Sequence, residues 1–191
     1  MRLRCTSLAA LSLLALSAAT APARADVTSW LAVAGGYGLE HNGTTTANDG
    51  AGAFSALIGI GSTPRAPLVF GGVFRSVTYF GLGTDISLAA RGATGGFARG
   101  DWGGAIDLGL GYRYWQGGNF GRVPVHAAFT LGAPWGLEVA VGGDFFSLTG
   151  APEARGAFAI LEIDLLRLTL MRQGSTDRAW RNPSPAGGRD P

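Results

Sequence analysis

The chain has a single cysteine and no lysine. Its single cysteine is Cys5, and no later position carries a thiol. Disulfide bonds and thiol catalysis are therefore excluded for the rest of the chain. Lysine is absent altogether, so every basic side chain other than two histidines is an arginine. These arginines form no basic stripe, and we expect no nucleic-acid partner.

The first 25 residues have the pattern of a secretory signal peptide. Arg2 and Arg4 precede an apolar run at residues 8–19, and Ala23-Arg24-Ala25 is a small-x-small cleavage site. Removal of residues 1–25 would leave twelve arginines against thirteen acidic residues. We therefore expect an exported mature chain that is close to electrically neutral.

The sequence after position 25 also lacks any uncharged apolar run long enough for a membrane-spanning helix. Its apolar residues alternate instead with small or polar ones, as in DWGGAIDLGLGYRYW at residues 101–115. A period of two predicts a β-strand with two unlike faces. The alternation recurs about eight times between turn-forming glycine, proline and asparagine residues, which predicts an all-β chain. The predicted strands are residues 27–38, 51–61, 68–80, 82–91, 101–115, 122–132, 136–146 and 156–171.

The polar face of these strands is built on small residues. In residues 101–115, Asp107 and Arg113 alternate with alanine and glycine, whereas a solvated strand face normally carries bulky polar residues. Small side chains suit the interior of an eight-stranded barrel, which is only wide enough for side chains to fill. We therefore predict that Ile106, Leu108 and Leu110 face outward. The alternative is a soluble barrel or sandwich whose apolar face points inward.

Aromatic residues stand near the ends of the predicted strands. Trp102 and Tyr112 are ten residues apart on the apolar face, which is about 25 Å along the membrane normal for a tilted strand. That height matches the apolar band of outer-membrane barrels. We predict that Trp102, Tyr112, Tyr114, Trp135 and Phe145 lie at the two membrane interfaces.

With these features the chain resembles the small eight-stranded outer-membrane barrels, the type represented by the transmembrane domain of OmpA and by OmpX. The resemblance covers residues 27–171 and consists of pattern, length and signal peptide. It implies an eight-stranded antiparallel up-and-down transmembrane β-barrel at residues 26–171. It also implies a bacterial outer membrane as the location, with outer-membrane lipid and the barrel assembly machinery as partners.

The implied topology puts both termini in the periplasm and four connections on the outer side. These connections are residues 39–50, a short turn near residue 81, residues 116–121 and residues 147–155. A surface ligand would bind at 39–50 and 147–155, the longest of them. We therefore expect a structural or surface-interaction role.

Eight ionisable side chains are predicted to face the lumen: Arg75, Asp85, Arg91, Asp107, Arg113, His126, Glu138 and Asp144. Simple hairpin registers place Asp85, Asp107, Thr130 and Glu138 at a similar height. Several carboxylates in one narrow layer need positive partners, which the three arginines supply. We predict an ion-pair network that plugs the barrel. The alternative is a narrow cation-selective pore.

A lipid-modifying enzyme is a third possibility that the sequence disfavours. A hydrolase needs a nucleophile with a base in hydrogen-bond reach. The chain has only His41 and His126, no GxSxG motif and no histidine pair at metal-ligand spacing. We therefore expect no catalytic residues, no metal and no cofactor.

The end of the chain departs from the pattern of such barrels, which commonly stop at a terminal aromatic of the last strand. Glu162 and Asp164 share a face with Phe158 and Leu166, which predicts a β-bulge in the last strand. Residues 172–191 are rich in proline, glycine and charge. That composition predicts a disordered tail.

Truncation after Gln173 should leave folding of the barrel unchanged, because the removed residues cannot bury enough apolar surface to offset the entropy of ordering them. Refolding of the full and truncated chains into detergent or lipid measures this. Failure of the truncated chain to fold would show that the barrel needs residues beyond Gln173, with Trp180 as the obvious anchor.

Overall fold

The structure, a computed structural model, describes residues 27–42, 48–115, 122–148 and 154–166. The predicted signal peptide and the predicted tail lie outside these ranges, as do residues 43–47 and 149–153 of the two predicted surface-ligand loops. Within them, eight antiparallel strands close into a barrel, each hydrogen-bonded to its neighbours in chain order. The predicted all-β, eight-stranded up-and-down barrel is therefore confirmed.

The eight strands are long for a small protein. They are β1 (Thr28–Asn42), β2 (Asn48–Gly61), β3 (Leu68–Tyr79), β4 (Gly83–Thr94), β5 (Gly103–Trp115), β6 (Pro124–Ala133), β7 (Leu137–Ser147) and β8 (Ala154–Asp164). Pairing of β1 with both β2 and β8 closes the barrel. Closure satisfies the hydrogen-bonding groups that an open sheet would expose at its edges.

The strands are inclined to the barrel axis. Following directly paired residues once round the barrel leads from Trp30 to Glu40, ten residues further along β1, by way of Gly59, Val73, Ala89, Gly109, His126, Asp144 and Gly156. Such an offset is the stagger that a closed barrel requires. With eight strands it leaves an interior that side chains alone fill.

The strand alternation separates the two faces of the barrel wall sharply. In β5, Asp107 is 1% exposed and the next residue, Leu108, is 60% exposed. Ile106 and Leu110 also lie on the outer surface, while Arg113 is buried in the interior. This arrangement is the one that the period of two in residues 101–115 predicted.

One end of the barrel is closed by a short helix, α1 (Gly95–Arg99), between β4 and β5. The backbone N–H of Phe97 donates to the hydroxyl of Thr94 at 3.2 Å, which caps the helix, and Gly100 ends it at φ 82°. Phe97 and Ala98 are fully buried. We call this end, where β1 begins and β8 stops, the helix end and the opposite end the loop end. No helix in the described ranges is long and apolar enough to cross a membrane.

The predicted strands differ from the structure in several places. The predicted connection at residues 39–50 is too long, because β1 runs to Asn42 and β2 begins at Asn48. The last strand stops at Asp164 rather than at Met171. The predicted bulge in β8 is wrong, because β8 pairs in continuous register with β7 and with β1. Phe158 and the acidic residues share the inner face because the interior accepts aromatic rings as well as charges. A register shift lies instead between β6 and β7, at Pro124 and Val125.

Candidate functional site

The first of two buried ion-pair clusters lies toward the helix end. Arg91 and Asp107 face each other across β4 and β5, and the guanidinium donates two hydrogen bonds of 2.7 Å to the two carboxylate oxygens. Arg75 lies 3.7 Å from the same carboxylate and forms an ion pair with Glu162. We call these four residues the helix-end cluster. Paired, bidentate contacts are the arrangement that makes buried charges tolerable.

The second cluster lies toward the loop end. Arg113 faces Asp85 across β4 and β5 and donates two hydrogen bonds of 2.9 Å to its carboxylate. The same guanidinium donates to the backbone carbonyls of Ala154 and Asp144. His126 lies opposite Asp144, with 3.0 Å between Nδ1 and a carboxylate oxygen. We call Asp85, Arg113, His126 and Asp144 the loop-end cluster.

The two clusters are separated along the barrel. Asp85 and Arg91 are six residues apart on β4, and Asp107 and Arg113 are six apart on β5. Six residues correspond to about 20 Å along a strand. The prediction that Asp85 and Asp107 share one layer is therefore wrong, because β4 and β5 pair each carboxylate with a different arginine.

Glu138 and Thr130, the other predicted members of that layer, lie nearer the helix end. Both are buried, and Glu138 directly faces Glu162 across β7 and β8. Like charges in directly opposed positions are destabilising unless other groups compensate them. The sequence pattern did not single out Glu162, since it lies on a face with mixed polar and apolar residues.

Each buried arginine also has an aromatic ring beside its guanidinium. The guanidinium carbon of Arg113 is 3.7 Å from the ring centre of Trp115, and that of Arg75 is 5.5 Å from Phe158. Arg91 lies between two rings, with Trp30 at 5.1 Å and Phe97 at 5.8 Å. Cation–π contacts of this kind contribute more where water is excluded. Sequence reasoning assigned none of these four rings to the site, although inner-face positions on their strands could have identified Trp30 and Phe158.

Acidic groups outnumber arginines in the described interior. Three guanidinium groups, those of Arg75, Arg91 and Arg113, are buried with the carboxyl groups of Glu40, Asp85, Asp107, Glu138, Asp144, Glu162 and Asp164. Wherever water reaches these groups, the excess favours cations over anions. This excess of carboxyl groups is the feature of the described interior that supports a cation path.

Several buried polar atoms of the described residues have no hydrogen-bond partner in the protein. At inward-facing positions of the strands they include Ser55 Oγ, Thr130 Oγ1, His126 Nε2 and one carboxylate oxygen of Glu162. Buried polar groups ordinarily bond to internal water when no protein group is in reach.

The arrangement around His126 has two of the three parts of a hydrolytic triad. Its Nδ1 contacts Asp144, while its ring stacks on Phe158 with 6.3 Å between ring centres. No hydroxyl group of the described residues hydrogen-bonds to its Nε2. The other histidine, His41, lies at the loop end of β1 opposite Arg155. No group of three or more candidate metal ligands lies together in the described ranges.

The predicted interface aromatics lie on the outer surface in four of five positions. Trp102, Trp135 and Tyr114 are more than half exposed, and Tyr112 is 41% exposed. Phe145 is half-buried, and its neighbour Phe146 is 61% exposed. Phe146 has a positive φ of 21°. That distortion lies beside the register shift between β6 and β7, so simple alternation does not predict which of the two rings faces outward.

Comparisons of the chain with protein-family models, with curated proteins and with solved structures found no match. The barrel geometry and its interior chemistry are therefore the basis for assigning a function. That chemistry consists of paired charges and aromatic rings at two levels of the interior.

Replacing Arg113 by Met should lower the free energy of unfolding by roughly 3–5 kcal/mol, because Asp85 would remain buried without its guanidinium partner. Adding Asp85→Asn should recover part of that loss. Reversible urea unfolding of the refolded protein measures both changes, with the exposed Arg155→Met as control. Equal stability of Arg113→Met and Arg155→Met would contradict a buried pair.

Proposed function

We propose that the protein is an integral outer-membrane β-barrel of the OmpA transmembrane-domain and OmpX type, with a structural or surface-interaction role and a lumen closed by ion pairs. The observation that supports this proposal most directly is that the barrel wall has its polar face inside and its apolar face outside. Buried charged groups point inward, and large apolar side chains cover the outside. A soluble barrel of this size would expose apolar patches far larger than monomeric proteins tolerate in water.

The distribution of exposed charge supports a position across a lipid bilayer. Within the described strands the exposed charged residues are Asp49 and Arg155, and both lie at the loop end. Arg65 and Arg99 are exposed in the connections at the helix end. The wall between the two ends therefore presents no exposed charge within the described strands, as an acyl-chain environment requires.

Aromatic belts support the same position. Trp102 and Trp135 are exposed at the helix end, while Phe80, Tyr112 and Tyr114 are exposed at or near the loop end. Tryptophan and tyrosine favour the membrane–water interface because they combine an apolar ring with a polar group. Trp102 and Tyr112 are ten residues apart, so the two belts would bound an apolar band of about 25 Å, the height typical of outer-membrane barrels.

The filled interior favours a structural or surface-interaction role. Arg75, Arg91 and Arg113 each contact a carboxylate and a ring inside a barrel that is only wide enough for side chains. Insertion would require the barrel assembly machinery, and surface ligands would bind at the loop end. The excess of buried carboxyl groups makes a narrow cation-selective pore the second candidate.

The bilayer position can be tested with two leucines that are equally exposed at different depths. Leu108 lies within the apolar band at 60% exposure, and Leu148 lies at the loop end at 62% exposure. Leu108→Arg should cost about 2 to 4 kcal/mol of membrane folding free energy, and Leu148→Arg about 0 to 1 kcal/mol. Heat-modifiable migration on a denaturing gel, after membrane fractionation or refolding into vesicles, reports folding. Equal tolerance of both changes would contradict a membrane-spanning wall.

Purified protein in planar bilayers should show little or no steady conductance, because the ion-pair clusters fill the interior. Single-channel recording in potassium chloride measures this. Steady cation-selective channels that disappear in Glu138→Gln would favour the pore over the closed barrel.

A further inference from the structure

The outer wall has a groove near the helix end, between β3 and β6. Its volume is about 700 Å³. Outward positions on its floor carry small residues, Ala90, Gly92 and Gly104, and its sides are formed by larger ones that include Phe70, Ile106 and Leu131. The large side chains that cover the outer wall are thus interrupted here by a strip of small residues.

The groove spans four neighbouring strands and about four residues along each of the two central ones. It follows β4 from Thr94 to Ala90 and β5 from Gly104 to Leu108. Four residue steps are about 13 Å along an inclined strand, which is less than half of the apolar band after allowance for the tilt. The groove therefore lies within one leaflet of the bilayer, and its floor of small residues leaves room for part of an acyl chain.

Two arginines and Asp101 adjoin the helix-end mouth of the groove, which leaves a net charge of about one positive there. Leu68 and Thr94 line this mouth and face each other across β3 and β4. Arg65 lies in the connection that leads into Leu68, and Arg99 ends the helix that follows Thr94. The two segments are held together, since Arg99 donates to the carbonyl of Pro64 at 3.0 Å.

The depth of these arginines matches the level of lipid phosphates. Trp102 is 74% exposed and lies directly before β5, two residues nearer the helix end than Gly104. An exposed tryptophan at this position marks the interface of the bilayer. Arg65 and Arg99 are thus at headgroup level, where a guanidinium group can donate paired hydrogen bonds to a phosphate.

We propose that this groove is a binding site for an anionic phospholipid, with one acyl chain along Gly92 and Gly104 and the phosphate at Arg65 and Arg99. The apolar groove alone would accept any acyl chain, and the adjoining arginines select a negatively charged headgroup. This inference rests on the proposed function, because the groove meets acyl chains only when the barrel lies in a membrane.

Gly92 offers a direct test of the groove. A Cβ atom at Gly92 would meet only the ring of Phe70, at an ordinary distance of 3.7 Å, so Gly92→Leu fills the groove without disturbing the backbone. Gly35 on the outer face of β1 is the matched control, since a Cβ there would meet nothing within 4 Å. Arg65→Gln tests the headgroup contact, and Arg155→Gln removes an exposed arginine at the other end.

The experiment refolds each variant into phosphatidylcholine vesicles that contain a minor fraction of phosphatidylglycerol. Heat-modifiable migration first verifies insertion, and native mass spectrometry after mild detergent extraction then counts the retained lipids. We expect the unaltered barrel to retain phosphatidylglycerol above its vesicle fraction. Gly92→Leu should reduce retention at least several-fold and Arg65→Gln roughly two- to fivefold, with both controls unchanged.

Three results would overturn the site. Equal retention of phosphatidylcholine and phosphatidylglycerol, unaffected by Arg65→Gln, would contradict the headgroup contact. A mass that corresponds to two protein chains would assign the groove to a second copy of the protein. Equal retention by Gly92→Leu and Gly35→Leu would remove the acyl-chain contact. Should Gly92→Leu not fold, the comparison of Arg65→Gln with Arg155→Gln still decides. A chain that never inserts would instead refute the proposed function, and the lipid site with it.

Discussion

The width of the interior is the constraint on which the rest of the structure depends. Eight inclined strands leave no room for a core of ordinary depth, so each inward side chain must fit against those on the opposite wall. Arg75 reaches across the interior from β3 to Glu162 on β8, and Arg113 reaches from β5 to backbone carbonyls of β7 and β8. Arg91 pairs with Asp107 of the neighbouring strand instead. Their charge could not be buried alone, because the desolvation of an unpaired ion exceeds the stability of most domains.

Small residues on the inner face make space for these long side chains. A Cβ atom at Gly109 would lie 2.1 Å from the carbonyl oxygen of Leu88, and one at Gly132 would lie 2.7 Å from the ring of Phe97. The glycines and alanines that looked featureless in the sequence therefore determine where rings and guanidinium groups fit. A larger residue at Gly109 would displace the backbone of β4, and one at Gly132 would displace the ring of Phe97.

Local pattern predicts the strands and their faces because a period of two is a property of each strand alone. It does not predict which level an inward residue occupies, because that depends on the stagger accumulated round the whole barrel. Asp85 shows the difference, since its inward direction follows from alternation and its partner Arg113 follows from the register of β4 and β5. Helix α1 and the distortion at Phe146 were missed for a related reason. Both depend on contacts that are not local, such as the burial of Phe97 against the barrel interior.

The two ends of the interior are closed by different means, and this difference bears on how the barrel could respond to its surroundings. At the helix end, Arg91 lies between Trp30 and Phe97, and α1 covers the opening. At the loop end, Arg113 donates to backbone carbonyls of β7 and β8 as well as to Asp85. The position of Arg113 therefore depends on strand ends next to surface connections, whereas Arg91 is held by side chains within the barrel. A surface ligand that moved those connections would act first on the loop-end cluster, while the helix-end cluster would keep the interior closed.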